Sequence, residues 1–260
     1  MNETNIQSTA QISPGAQIAD DAEIGHYAII GPEVKIGAGT KVGDHCVITG
    51  TTTIGRNNQI FTGAVIGSIP QDKKYQGEKT ELVIGDDNII REYATINLGT
   101  AANLKTVVGN NNLIMAYAHI AHDCVIGNNV VMANVATLAG HIIIEDRATL
   151  GGLAAVHQFV RIGTLAIVGG CSKVIQDIPP YSMCDGHPAS VHGLNKVGLE
   201  RQGISKETRT QLKHAFTILF SSGLTIPHAL KKVEEEVDLK LPEVLHLVNF
   251  IKNSERGVCR

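Results

Sequence analysis

Aliphatic residues recur at every sixth position along most of the chain. The period runs from Ile12 to Ile66, resumes at Ile84 and continues, with one further break, to Val174. Gly often follows the aliphatic residue directly, and Ala often stands four positions after it. Six residues cover one short β segment and a turn, in which the aliphatic side chain points inward and small residues fit a crowded interior. One hexad cannot bury its own face, so hexads must stack. The period therefore predicts a parallel β-helix.

Two polar insertions interrupt this period. Residues 67–83 and 98–107 contain none of the regular aliphatic positions, and the register resumes after each of them. Loops that leave a rigid scaffold are favoured places for function. The alternative is that these insertions are tolerated surface decoration.

The chain changes character near its end. The hexads stop at Ile178-Pro179-Pro180, and from about residue 190 the apolar positions follow a helical period. Helices are expected after Ser205 and near Pro227 and Pro242, because these residue types favour helix starts. We predict a β-helix over residues 1–189 and a helical domain over residues 190–260 that caps the open end of the solenoid.

Composition narrows the possible classes. Aromatic residues make up only 4% of the chain, and this scarcity fits a narrow interior built from aliphatic residues. A net charge of −3 gives no basic footprint for nucleic acid. The five cysteines are scattered and form no C-x-x-C pair, which argues against a disulfide framework. The first residues lack the basic and apolar regions typical of a signal peptide, and no apolar run approaches the length of a membrane span. We expect a cytoplasmic protein.

The pattern resembles that of hexapeptide-repeat left-handed β-helices, in which three hexads form one triangular coil. Residues 18 apart then lie one above another, about 4.7–4.9 Å apart. Two neighbouring columns carry polar residues. They are His122, Gly140, Gln158 and Asp123, His141, Phe159.

Three histidines concentrate the chemistry of the repeat. His119, His122 and His141 fall within about two coils of one another, beside Asp123. A histidine with a near-neutral pKa can act as a general base on a hydroxyl group. Three histidines can also hold a zinc ion with an open position for water. His157 has no partner in these columns, and we expect it to be structural.

Two glycines form a bare column on a different face of the triangle. Gly152 and Gly170 are 18 residues apart, and each is the second Gly of a Gly-Gly pair. Stacked glycines leave a stripe without side chains, which suits a long apolar ligand or close packing against another protein surface.

Several segments closely resemble the UDP-N-acetylglucosamine O-acyltransferases, the first enzymes of lipid A biosynthesis. The resemblance spans essentially the whole chain, including both insertions and the helical tail. The segments that carry it are Asp72-Lys73-Lys74-Tyr75, Ala118 to Cys124, Leu138 to His141, Ala155 to Phe159, Val168 to Ser172 and Gly193 to Gly203.

The resemblance implies an activity and a set of residue roles. The family transfers an (R)-3-hydroxyacyl group from acyl carrier protein to the 3-hydroxyl of UDP-N-acetylglucosamine. His122 would be the general base, Asp123 its support, and the Gly140 N–H a donor to the oxyanion. Other positions resemble substrate-binding residues of the family. They are Asp72, Lys74, His119, His141, Gln158, Asn195 and Arg201.

The resemblance also implies an assembly and a preferred acyl chain. Family members are homotrimers that use no metal or other cofactor. Gly170 would leave room for an acyl chain of about 12–14 carbons, because a bulky residue there would shorten the groove. Val197 and Gln202 depart from the family pattern near the nucleotide-binding positions, so nucleotide affinity or pose is expected to differ. An amino group could also replace the sugar hydroxyl as acceptor.

Two other functions compete with this one. A zinc-dependent, carbonic-anhydrase-like β-helix also uses histidines between subunits, although it leaves the loop that carries Asp72 and Lys74 unexplained. A non-catalytic scaffold predicts that His122 is dispensable.

Overall fold

Short parallel strands form three sheets, here named faces 1, 2 and 3, in a computed structural model that describes residues 5–101 and 104–260. Face 1 contains Asn5–Ile6, Glu23–Ile24, Lys41–Val42, Gln59–Ile60, Ile89–Ile90, Leu113–Ile114, Val131–Met132, Thr149–Leu150, Ile167–Val168, Ser182–Gly186 and Ala189–Leu194. Face 2 contains Gln11–Ile12, Ile29–Ile30, Val47–Ile48, Val65–Ser68, Thr95–Asn97, His119–Ile120, Thr137–Leu138, Ala155–Val156 and Lys173–Val174. Face 3 contains Gln17–Ile18, Lys35–Ile36, Thr51–Ile54, Glu81–Ile84, Lys105–Val108, Val125–Ile126, Ile143–Ile144 and Arg161–Ile162.

The coil repeats every 18 residues wherever no insertion intervenes. On face 2, His119 pairs with Thr137, and Thr137 pairs with Ala155. The second residue of each strand points inward, and Ile120 and Leu138 are fully buried. The outer residue of each pair, by contrast, remains available to a ligand. The fold is a left-handed parallel β-helix with a small C-terminal helical region, as predicted.

The register of the coil resumes after each insertion, with a local shift between Ile66 and Ser68 where the first insertion begins. Across the first insertion the coil-to-coil spacing is 30 residues, as in the contact of Asn58 with Asn88, and across the second it is 24, as between Asn88 and Asn112. The flanking strands end at Ser68 and begin at Glu81. The first loop is therefore shorter at both ends than residues 67–83, because the chain completes its pairing before it leaves the face.

The corners between faces contain residues in the left-handed backbone region. At the corner between faces 2 and 3, Asp123, His141 and Phe159 have φ angles of 59°, 60° and 65°. Each corner is held by the preceding coil, as in the hydrogen bond from the His141 N–H to the His122 carbonyl (3.0 Å). A non-glycine residue with positive φ is unusual, so this ladder sets the backbone geometry of the corner.

A hairpin and four α-helices follow the last coil. Ser182–Gly186 and Ala189–Leu194 pair antiparallel, so the last strand begins at the predicted boundary, residue 189, and runs past it. The α-helices are Lys196–Arg201, Lys206–Phe216, Ile226–Glu236 and Pro242–Lys252, with a π-helical turn over Thr217–Ser221. Within residues 5–101 and 104–260, every helix is too short or too polar to cross a bilayer.

Candidate active site

A groove of about 730 Å³ lies along face 2, between the first insertion and the later coils. The outer residues of the face 2 strands form its floor, and Gln71 to Lys74 of the first insertion form part of its wall. Its lining residues are Gln71, Asp72, Lys73, Lys74, His119, Ala121, His122, Thr137, Leu138, Ala139, Gly140, Ala155, Val156, His157, Gln158, Lys173, Val174 and Ile175.

His122 and Asp123 form a close pair at the edge of this groove. The Nδ1 atom of His122 lies 2.8 Å from Oδ2 of Asp123, and the two side chains are only 12% and 4% exposed. An ionised carboxylate can only accept hydrogen bonds. The proton of the neutral imidazole therefore resides on Nδ1, and Nε2 carries the lone pair, as a general base requires.

Asp123 remains ionised in spite of its burial. Burial opposes ionisation, but hydrogen bonds from Thr100 and His122 outweigh this effect and hold the pKa of Asp123 below its usual value. The Thr100 N–H donates to Oδ1 at 3.0 Å, and the Thr100 hydroxyl donates to Oδ2. The Asp123 N–H donates to the Thr106 hydroxyl at 2.9 Å. The side chain and the backbone of Asp123 are thus fixed separately.

Gly140 packs directly against the ring of His122. A Cβ atom built on Gly140 would lie 2.2 Å from Cε1 and 2.6 Å from Nε2 of that ring, far inside van der Waals contact. Only glycine fits here while His122 keeps its position. Among the described residues, the Gly140 N–H donates to no backbone or side-chain acceptor, so it is available to a ligand in the groove.

The other two histidines flank this pair. His141 Nε2 lies 3.5 Å from Asp123 Oδ2, and its ring stacks on Phe159 with the centroids 4.6 Å apart. His119 Nδ1 lies 2.7 Å from the Thr95 hydroxyl. Burial and, secondarily, the charge of His122 lower the pKa of His119. His119 is therefore disposed to remain neutral and to serve as a hydrogen-bonding group.

The first insertion brings Asp72 and Lys74 to the groove. Asp72 Oδ2 lies 4.0 Å from His122 Nε2, and Asp72 Oδ1 accepts a hydrogen bond from the Lys74 N–H at 2.8 Å. Gln158 also lines the groove, and its side chain is exposed. The groove therefore presents the Asp72 carboxylate close to Nε2 of His122, and ammonium and amide groups elsewhere along its lining.

The two stacked glycines lie at the other edge of face 2. A Cβ atom on Gly170 would be 3.2 Å from the Gly152 carbonyl oxygen, so the two residues stack as the 18-residue period predicts. They occupy the corner between faces 1 and 2. The bare column therefore borders the same face as His122 from the opposite side, and does not belong to a separate face as the sequence suggested.

Asn195 and Arg201 lie away from the groove in the helical region, whereas Asp123, His141, Gly152 and Gly170 border the groove without lining it. Asn195 is buried, caps the first helix by accepting from the Gly198 N–H at 2.9 Å, and donates to the Leu165 carbonyl at 2.8 Å. Arg201 is exposed in the last turn of that helix. Neither residue lines the groove around His122.

The sequence did not single out three residues that the structure places at the site. Thr100 and Thr106 contact Asp123. Thr100 lies within the second insertion and Thr106 near its end, and this position in a polar insertion is the only feature of the sequence that could have indicated them. His157, expected to be structural, is exposed and lines the groove. Its place at the turn that follows a face 2 strand accounts for this difference.

The site also contains a set of atoms that could hold a metal ion. Ligand atoms of His122, Asp123 and His141 lie within 4.8 Å of one another. Two imidazoles and one carboxylate are donors that zinc accepts. Asp123 already receives two hydrogen bonds from Thr100 and one from His122, so a metal ion at this position would compete with the His122–Asp123 pair for its donor atoms.

Comparison of the sequence with known proteins identifies the enzyme family of this chain. A family model for domain 2 of UDP N-acetylglucosamine O-acyltransferase matches residues 177–259, and a model of six bacterial transferase hexapeptides matches residues 105–140. The acyl-[acyl-carrier-protein]–UDP-N-acetylglucosamine O-acyltransferase of Thermodesulfovibrio yellowstonii is 52% identical over 261 residues, which cover 100% of both chains. The chain belongs to the UDP-N-acetylglucosamine O-acyltransferase family.

Solved structures of this acyltransferase family agree with the fold as well as the sequence. The UDP-N-acetylglucosamine O-acyltransferase of Moraxella catarrhalis has a TM-score of 0.94 and 44% identity, and the match covers 99% of this chain and 100% of that one. An Arabidopsis UDP-N-acetylglucosamine acyltransferase has a TM-score of 0.87 and 34% identity, with coverage of 98% and 100%. The resemblance inferred from sequence motifs is confirmed.

Proposed function

We propose that the protein transfers an (R)-3-hydroxyacyl group from acyl carrier protein to the 3-hydroxyl of UDP-N-acetylglucosamine, the first step of lipid A biosynthesis, with His122 as general base. The activity follows from membership of the family. The observation that supports the role of His122 is its pairing with Asp123 through Nδ1, 2.8 Å apart, which leaves Nε2 free to accept a proton in the groove.

The reaction can be written with these groups alone. His122 Nε2 takes the proton of the sugar hydroxyl as its oxygen attacks the thioester carbonyl carbon. A C–O bond forms, and the carbonyl oxygen becomes an oxyanion that the Gly140 N–H can stabilise. When the C–S bond breaks, the thiolate leaves and takes the proton back from His122. Asp123 holds the ring in the required tautomer and stabilises the transient imidazolium.

The polar and bare parts of the groove suit different parts of the substrates. Lys74 supplies the positive charge that a diphosphate needs, while Asp72, His119 and Gln158 in the groove offer hydrogen-bonding groups for a sugar, and His141 lies beside them against Asp123. Thr137 and Ala155 give a floor of small side chains. The Gly152–Gly170 column beyond it is suited to an acyl chain.

We also propose that the protein acts as a homotrimer in the cytoplasm, with each groove completed by a neighbouring subunit. The support is that Asn195 and Arg201 lie outside the groove of their own chain, so a second copy is needed to bring such residues to a substrate. Light scattering on the purified protein should give the mass of three chains. The mass of one chain, in a sample that remains active, would contradict this assembly.

The activity is tested by incubating the protein with UDP-N-acetylglucosamine and 3-hydroxyacyl carrier proteins of several chain lengths. We expect acylated nucleotide sugar from the natural chain and a loss of at least about 100-fold in kcat for His122→Ala. His228→Ala is the matched control, because His228 lies on a helix and contacts only Thr225 among its hydrogen-bonding partners in the described chain. Undiminished activity of His122→Ala would remove the proposed base. Zinc at one ion per chain, together with carbon dioxide hydration, would favour the alternative enzyme.

A further inference from the structure

The second insertion contacts the carboxylate of Asp123 near its start, through Thr100. Thr100 supplies two donors to it, the N–H to Oδ1 at 3.0 Å and the hydroxyl to Oδ2. Both carboxylate oxygens are therefore bound by one loop residue. Oδ2 is also the atom that pairs with Nδ1 of His122.

The backbone N–H groups of the coil beside Asp123 are directed elsewhere. The Asp123 N–H donates to the Thr106 hydroxyl, and the Val125 N–H donates to the Ile142 carbonyl. A carboxylate that is only 4% exposed needs donors if it is to stay charged. An inserted loop that folds back over the corner can provide them without breaking the stacking of strands.

The start of this loop is itself firmly anchored. Leu98 is buried, its N–H donates to the Ser68 carbonyl at 3.0 Å, and the Gly99 N–H donates to the Glu81 carbonyl at 3.3 Å. A Cβ atom on Gly99 would lie 3.0 Å from Asp123 Oδ1 and 2.6 Å from the Leu104 carbonyl oxygen, so the backbone approaches the carboxylate closely. A loop anchored in this way can hold the Asp123 carboxylate with the precision that a catalytic site needs.

We infer that Thr100 is a positioning residue, which fixes the Asp123 carboxylate so that it orients the imidazole of His122. The second insertion would then exist to complete the catalytic pair from outside the repeat. The inference rests on the proposed role of His122. Under this inference Thr100 does not contact the substrates. Removal of its hydroxyl should therefore lower the rate of the chemical step and leave substrate binding unchanged.

Thr100→Val removes the hydroxyl donor and keeps the shape and the N–H. We expect kcat to fall about tenfold, as for loss of one hydrogen bond to a charged group, with KM for UDP-N-acetylglucosamine unchanged. Thr100→Ser, which restores the hydroxyl, should recover most of kcat. Thr210→Val is the control, since its hydroxyl donates to the Lys206 carbonyl at 2.8 Å on an exposed helix, and we expect wild-type kinetics.

A double variant separates positioning from a general structural role. If Thr100 acts through Asp123, Thr100→Val should cost little further activity in an Asp123→Asn background. Equal fold-losses in both backgrounds would overturn the inference, as would wild-type kcat for Thr100→Val or a rise in KM alone. If Thr100→Val does not fold, Thr100→Ala carries the same test without added bulk. The proposed function fails separately, when the wild-type chain forms no product or His122→Ala remains active.

Discussion

Gly140→Ala isolates the contact between the corner glycine and the proposed base. The new Cβ atom would lie 2.2 Å from Cε1 of His122, whereas two carbon atoms in contact are normally about 3.5 Å apart. The imidazole, or the backbone of its corner, must therefore shift by about 1.3 Å. A misplacement of about 1 Å in a catalytic group can cost about 100-fold in rate.

We therefore expect kcat of Gly140→Ala to fall about 100-fold, which corresponds to about 2.7 kcal/mol of lost transition-state stabilisation. The backbone N–H remains in this variant, so a shift of the imidazole alone makes the loss report on the position of His122 rather than on the oxyanion donor. KM should change little. The free energy of unfolding should change by less than about 1 kcal/mol, because His122 borders the groove and its ring can swing toward it.

The assay is steady-state acyl transfer, combined with urea unfolding of the same samples. Gly31→Ala is the matched control, since Gly31 occupies the same corner of an early coil and a Cβ there meets its nearest atom at 3.2 Å. We expect it to retain wild-type kcat. If Gly140→Ala retains more than half of the wild-type kcat, the reasoning that links Gly140 to the position of His122 is wrong.

Two further predictions concern the groove. Gly170→Met places a side chain on the bare corner. The acyl chain with the highest kcat/KM, measured with carrier proteins of different acyl lengths, should therefore become shorter. An unchanged preference would show that this corner does not determine acyl-chain length. Burial lowers the pKa of His119 in the folded protein. Below about pH 6.5 the unfolded chain therefore binds a proton at this residue before the folded chain does. The free energy of unfolding should fall as the pH falls through this range. His119→Gln should flatten this slope in urea unfolding between about pH 7.5 and 5.5, and an identical slope would contradict it.

The period of the sequence predicted much of the site because stacking in a solenoid is regular. After residue 108 no insertion intervenes, so 18-residue spacing placed Gly140 beside His122 and His141 beside Asp123, as the structure does. The same spacing aligned Gly152 with Gly170. It did not show that this column and His122 border one face, because that depends on where each strand ends.

The insertions obey no such period, and their contacts could not be inferred. Asp72 approaches His122 from a loop that interrupts the register, and the resemblance to a family was the only guide to it. Thr100 reaches Asp123 from the other loop, and no sequence pattern indicates that contact. Long-range approach of a loop depends on its fold and anchoring, as with the burial of Leu98, which a periodic pattern does not describe.

The most direct test of the account is the transfer reaction itself, with the product identified. The purified protein, UDP-N-acetylglucosamine and an (R)-3-hydroxyacyl carrier protein should yield a nucleotide sugar whose acyl group is shown by NMR to be on the 3-oxygen. The same reaction with His122→Ala should be at least about 100-fold slower. Absence of product with every chain length, or an equal rate with His122→Ala, would contradict the assignment of this groove and its histidine to acyl transfer.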